Sequence, residues 1–343
     1  MRKYPPATFR VIEHLRRATE LAAVACAVPH EHLKLIVAVS GGEDSMALLH
    51  LLAGENSNPK QHLIVAHYDH ALRAESANDE RFVRDAAHRY GCQFVSERAV
   101  DRPDREGIEA WARARRYEFF ERCRIAAGAH LIVTAHHRRD QAETLLMRLV
   151  SGRLATYAHA ISPLDMQRRL FRPMLRVEKD ELRAALAECH VEFVVDETNT
   201  DVQRTRNLIR HRVMPFLASE LNPDVEDSLA CEADRFRDDE DFMDAVVSEL
   251  ALAHPLAVRS GDSQLQELRV LPQAVLWRML RRAGYAALGE PAFAVGYDAW
   301  TRLARLVIEP PFEEKICQLG GGNVARVSER NGIRFAHEDS REH

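Results

Sequence analysis

The chain has 343 residues, 46% hydrophobic and 29% charged, with a formal net charge of -5; this describes a soluble globular protein with room for two domains and excludes a disordered or fibrous chain. No apolar run approaches the ~20 residues needed to span a bilayer, and the segment Arg10–Arg17 is too charged for a signal peptide. Six scattered cysteines (Cys26, Cys92, Cys123, Cys189, Cys231, Cys317) form no C-x-x-C pair, so reduced thiols in a cytosol are expected rather than a zinc ribbon or iron–sulfur cluster.

In chain order, Phe9 to Cys26 reads as an amphipathic helix that ends near Pro29. Leu35-Ile36-Val37-Ala38-Val39 is an apolar, β-branched run, expected as a strand buried on both faces. Ser40-Gly41-Gly42-Glu43-Asp44-Ser45 follows, and then the helix-forming Met46–Leu52. His62 to His70 reads as a second strand with a polar end, and Ser76–Asp79 caps a helix that runs to about Tyr90. Gln93–Ser96 is a third strand, Gly107–Ala127 a long helix, His130–His136 a fourth strand, and Asp140–Leu149 again a helix. This alternation predicts an α/β fold: a doubly wound, mostly parallel sheet covered by helices, with ligands beyond the carboxyl ends of the strands.

Beyond Gly152 the pattern loosens. A helix is expected over Val177–Cys189, then a polar turn over Asp196–Asp201. Arg204–Arg212 carries four arginines and no acid, whereas acids dominate from Glu220 to Asp244. The predicted organisation is an N-terminal helix over residues 1–30, a nucleotide-binding domain over 31–217, and a smaller, mainly helical C-terminal domain over 218–343. The boundary is placed near Pro215 to Pro223. A small β tail is expected over Lys315–Phe335, with a hairpin turn at Arg330-Asn331-Gly332.

The strand–glycine turn–helix at Ser40–Ser45 suits an anion, because unpaired amides and the helix dipole both favour negative charge. The turn is neither G-x-x-x-x-G-K-[ST] nor G-x-G-x-x-G, and it lacks the lysine of the first. It resembles the SGGxDS loop of the N-type ATP pyrophosphatases, which cleave ATP to AMP and pyrophosphate. Further segments resemble one branch of that superfamily, the tRNA(Ile)-lysidine synthetases. They are His67-Tyr68-Asp69-His70-Ala71-Leu72-Arg73, Glu109 to Tyr117, Ala135 to Thr144, and Asp196 to Arg210. The likeness covers about Leu33 to Leu217, and the C-terminal region is short for many members. Where the family usually has two aspartates before Gln141, this chain has Arg139-Asp140.

The resemblance implies ligation of free L-lysine to C2 of the wobble cytidine of tRNA(Ile) with a CAU anticodon, through an adenylated base. ATP and Mg²⁺ would be the cofactors, in a cytoplasmic setting with no membrane, and a homodimer is left open. It implies ATP binding by Ser40, Gly41, Gly42, Glu43, Asp44, Ser45, Asp69 and His70. Asp44, Arg113, His136 and Asp140 would be catalytic, with Asp44 and Asp140 as Mg²⁺ ligands. Asp69 and His70 are equally explained as caps of their own loop, and Arg113 by surface pairing with nearby glutamates. His136 reads as an acid, a base or a plain hydrogen-bond donor. The arginine-rich segment, without interspersed acids, is expected to bind the tRNA backbone through Arg204, Arg206, Asn207, Arg210 and Arg212. Another ATP-dependent ligase or amidating enzyme of the superfamily, or an inactive nucleotide-binding paralogue, remains the alternative.

Overall fold

The structure, a computed structural model, describes residues 6–54, 62–71, 76–100, 108–151, 160–195, 205–253, 267–289, 295–309 and 313–338. Two compact units are present: residues 1–147 with 161–231, and residues 148–160 with 232–343. The expected break at Pro215–Pro223 falls inside the first unit, and the second begins within the long helix Val225–Ala253. Pro215 does not end the helix there, which runs on from Ile209–Val213 into Met214–Glu220.

The first unit is built on a six-stranded sheet in the order β3-β2-β1-β4-β6-β5. Its strands are β1 (Leu35–Ala38), β2 (Leu63–Asp69), β3 (Gln93–Arg98), β4 (Leu131–Val133), β5 (Leu164–Asp165) and β6 (Leu170–Phe171). All neighbours run parallel except the edge pair β5 and β6. Leu35 stands opposite both Leu63 and Leu131, which places β1 at the centre. As expected, β1 is buried on both faces. Leu35 and Val37 enter the core beneath α1 (Pro6–Ala25), α2 (Glu43–Gly54), α3 (Ser76–Tyr90) and α6 (Lys179–Glu188). Ile36 enters the opposite core with Phe119 and Phe120 of α4 (Ile108–Ala127). Helices thus cover both faces, as predicted.

The strand order puts the topological switch between β1 and β4. From β1 the chain winds to β2 and β3 on one side, then returns to the other side at β4. The connections leaving β1 and β4 therefore diverge, and a crevice opens at their carboxyl ends. β4 is shorter than the expected His130–His136. Thr134 still bonds Phe171 O, but His136 and His137 lie past the ladder in the connection to α5 (Arg138–Val150). The arginine-rich segment continues from Thr205–Leu208 through a π-helical stretch, Ile209–Val213, into Met214–Glu220. Ile209 and Met214 pack on Ala142 and Leu146 of α5.

The second unit has its own core. Trp300, fully buried, packs among Leu276, Leu280 and Leu303 of the helices Gln273–Leu288 and Tyr297–Ile308. A Cβ at Gly284 would come within 2.4 Å of the Trp300 ring, so only glycine lets the ring lie on that helix. The antiparallel sheet β7 (Lys315–Gly320), β8 (Asn323–Ser328) and β9 (Gly332–His337) carries the expected hairpin. Among the described residues no helix is long and apolar enough to cross a membrane.

Candidate active site

The Ser40–Ser45 turn sits at the carboxyl end of β1 and feeds directly into α2. Gly41 has φ +93°, and a Cβ there would meet Val83 Cγ2 at 3.3 Å and Val194 Cγ2 at 3.5 Å. Both the backbone conformation and the lack of room demand glycine. The Gly41 carbonyl accepts from Val194 N at 2.9 Å. Ser45 Oγ donates to Gly42 O at 2.9 Å and accepts from Ser40 N at 3.2 Å, so the serines tie the turn to itself. A Cβ at Gly42 would meet only Ser40 Oγ, at 3.6 Å. That side of the turn is open to an approaching ligand, with the unpaired first-turn amides of α2 behind it.

Charged groups from α6 and from the connection after β4 converge on this turn. Lys179, the first residue of α6, contacts Asp44 and lies 2.7 Å from Glu43, while Arg183 holds Glu43 at 3.1 Å. His137, buried after β4, places Nε2 3.5 Å from Asp44 and 3.7 Å from Asp140. Its Nδ1 has no hydrogen-bond partner among the described residues. Burial opposes ionisation of Asp44, but the His137 imidazole and the Lys179 ammonium outweigh it and hold the carboxyl well below the usual range. Burial likewise opposes ionisation of Asp140, and His137 with Arg206 keeps it low.

Asp140 leads into a second cluster. Glu143, one turn further along α5 and fully buried, accepts from Arg206 Nε at 2.8 Å and from Arg210 Nε at 2.6 Å. Arg206 also donates to Asp140 at 2.7 Å, and Arg210 does so at 3.4 Å. The i,i+4 spacing does bring both guanidiniums to one face, but that face turns onto carboxylates of the same unit. The expected acid-free basic surface is thus divided: α5 supplies its missing acids, and Arg212 stays exposed. Arg204 and the polar turn Asp196–Asp201 lie outside the described residues.

Arg139 does not enter the Asp140 cluster. Its guanidinium lies 2.9 Å from the Glu226 carboxylate, and Arg138 pairs with Glu178 and Asp227 at 2.9 and 2.6 Å. Asp69 is engaged as a loop cap, accepting from Ala71 N at 2.7 Å and Ser76 Oγ at 3.1 Å, with Arg98 3.5 Å away. His70 packs edge-on to Tyr68, and burial beside Arg116 pushes its pKa down to about 4. His136 shares a 2.8 Å hydrogen bond with Thr134 Oγ1, and burial pushes its pKa down to about 3. That favours the neutral imidazole at pH 7. Arg113 is exposed, with its guanidinium 5.1 Å over the Tyr117 ring.

Lys179, Glu143 and the bridging position of His137 were not legible as site residues. Lys179 stands at a helix start with no local signature, and Glu143, though inside the segment Ala135–Thr144, reads as one glutamate of a helix. Among the described residues no group of three or more His, Cys, Asp and Glu side chains could by itself enclose a metal ion. Asp44 and Asp140 both meet the His137 imidazole.

A family model for the PP-loop domain matches residues 14–217. A tRNA(Ile)-lysidine synthase of Geobacter sulfurreducens is 37% identical over 282 residues, 80% of this chain and 59% of that protein. Another, from Bacteroides thetaiotaomicron, is 34% identical over 278 residues, 75% of this chain and 61% of its own length. The chain thus spans about three fifths of the length of these relatives. Among solved structures, a U34-tRNA thiolase from Methanococcus maripaludis superposes with a TM-score of 0.53 over 66% of this chain and 79% of that one. At 14% identity that likeness speaks to the fold alone. With the glycine turn seated at the switch point of a doubly wound sheet, and the family model matching more than half of its length, the chain belongs to the PP-loop domain family.

Proposed function

We propose that this protein is a cytoplasmic tRNA(Ile)-lysidine synthase, which uses ATP to join free L-lysine to C2 of the wobble cytidine in a CAU anticodon. The observation that carries this reading is the reach of the likeness. Identity of 37% to a lysidine synthase extends over 282 residues, more than the PP-loop match at 14–217 includes.

In the first step the cytidine C2 oxygen attacks the α-phosphorus of ATP and pyrophosphate leaves. The leaving group needs preorganised donors, since charge builds on its oxygens with little covalent help. The Ser40–Ser45 amides and the N-terminus of α2 supply them. Asp44 and Asp140 fit Mg²⁺, a hard cation commonly held by one or two carboxylates together with substrate phosphates, and magnesium would neutralise charge on the departing phosphates. Arg113, exposed on α4, would serve as a cation for the α-phosphate. In the second step the lysine ε-amine attacks C2, the C2–O bond to AMP breaks and the amine gives up a proton to solvent, while the neutral His136 can hold a substrate group by hydrogen bonding. Arg212 and Asn207 are assigned to the tRNA backbone, and a homodimer is the assembly to look for in solution.

Incubation with ATP, Mg²⁺, L-lysine and total tRNA, followed by nucleoside analysis, tests the reading. Lysidine in tRNA(Ile), with one AMP released per lysine joined, is the expected result. ATP–pyrophosphate exchange that proceeds equally well without tRNA would replace it with a small-molecule ligase.

A further inference from the structure

The loop lacks the lysine that the G-x-x-x-x-G-K-[ST] turn carries, and we propose that Lys179 supplies it from α6: when ATP binds, its ammonium leaves Asp44 for the β- and γ-phosphate oxygens. This rests on the reading that the Ser40–Ser45 turn takes the pyrophosphate portion of ATP.

Four observations support the assignment. Lys179 occupies the first position of α6, where the helix dipole disfavours a cation and where Asp180 and Glu181 are the residues local preference would choose. A lysine placed against that preference, with its side chain only 11% exposed, is held by what lies across from it. What lies across is the turn itself: Glu43 at 2.7 Å and Asp44, 135 residues away in sequence. The Asp44 end of the pair is the more open one, and the adjoining Gly42 leaves room for a ligand.

Release of the lysine leaves neither carboxylate without a partner. Glu43 keeps Arg183 at 3.1 Å, and Asp44 keeps His137 at 3.5 Å. Lysine suits the task better than arginine, being a compact charge with three donors on a flexible stem, able to trade a carboxylate for a phosphate.

The experiment measures inorganic pyrophosphate binding to the full chain by calorimetry without metal, and so needs neither tRNA nor lysine. It compares wild type, Asp44→Asn, Lys179→Met, and the double variant, with melting temperatures confirming that each is folded. Lys179→Gln replaces Lys179→Met in both backgrounds if the latter does not fold. The expected result is that Asp44→Asn tightens pyrophosphate binding about tenfold, the scale of one charge-assisted hydrogen bond set free, and that this gain vanishes when Lys179 is also removed. Lys179→Met alone should weaken binding about tenfold, with Lys179→Arg recovering part of the loss. An Asp44→Asn gain of equal size with and without Lys179 would make the lysine a fixed counter-charge and overturn the proposal. So would a Lys179→Met or Lys179→Gln variant that binds pyrophosphate as wild type does. If the coupling is found but no lysidine forms, the Lys179 assignment stands and the tRNA reading falls.

Discussion

Arg206, Arg210 and Arg212 lie within seven residues of one another, yet the structure gives the first two a different task from the third. Arg210 donates to Glu143 at 2.6 and 3.0 Å and to Asp140 at 3.4 Å, and Arg210→Ala deletes all three contacts. Breaking a buried ion pair costs roughly 3–5 kcal/mol. Here Arg206 remains on both carboxylates, and the Arg210 side chain is 30% exposed. The expected loss is therefore about 2–3 kcal/mol, or about 5–10 °C in melting temperature for a domain of this size. Glu143→Ala should cost more, about 3–5 kcal/mol, because it removes the fully buried partner that both guanidiniums share and leaves them Asp140 alone. Arg212 is exposed, so Arg212→Ala should change stability by no more than about 0.5 kcal/mol. Binding of tRNA, measured across a salt series, should separate them again. Arg212→Ala should lower the log–log slope by roughly 0.7–0.9, whereas Arg206→Ala and Arg210→Ala should leave it unchanged, since their charge is already matched by Asp140 and Glu143. If both inward variants flatten the slope as Arg212→Ala does while melting like wild type, the pairing is not how this segment works.

At the turn, Gly41→Ala should lower stability by about 1–3 kcal/mol, because φ +93° is strained for any side chain and Val83 stands in the way, whereas Gly42→Ala should melt like wild type and lose ATP affinity; equal stability of the two variants would contradict this. Asp140→Ala should sharply reduce Mg²⁺-dependent AMP formation, while Arg139→Asp should retain it. Because Arg139 pairs with Glu226, Arg139→Asp should also cost up to about 1 kcal/mol in urea denaturation, and loss of activity at unchanged stability would instead give Arg139 a direct role. His70 and His136 are held neutral down to about pH 4 and about pH 3 against an ordinary value of 6.5. Below pH 6.5 unfolding takes up a proton at each, so stability is full above that pH and falls as pH drops toward 4, by up to about 1.4 kcal/mol per unit for each histidine. His136→Asn should remove one proton from that slope between pH 6 and 4, and an unchanged slope would mean that His136 titrates normally.

Much of the first unit was legible because its signals are local. A β-branched run followed by two glycines and a helix former can be little other than a buried strand, a tight turn and a helix, and the φ of Gly41 bears out the reason for glycine. The same holds for the α/β alternation and for the Arg330–Gly332 hairpin. The unit boundary was less legible, since composition changes near Pro215 while the helix Val225–Ala253 runs on through the change.

What the sequence could not disclose is which charges meet. The stretch Arg204–Arg212 reads as a surface for phosphate because it carries no acid of its own, yet Asp140 and Glu143 reach it from a helix more than 60 residues away. Lys179 gives no local sign of function and reaches Asp44 across 135 residues. The sequence by itself determined the elements, the turn and the chemical repertoire at the strand ends, because these depend on backbone preference and period over a few residues. The tertiary structure alone decided the pairings, because the strand order brings the connections after β1 and β4 together, and buried charges then settle on whichever partners that crevice holds.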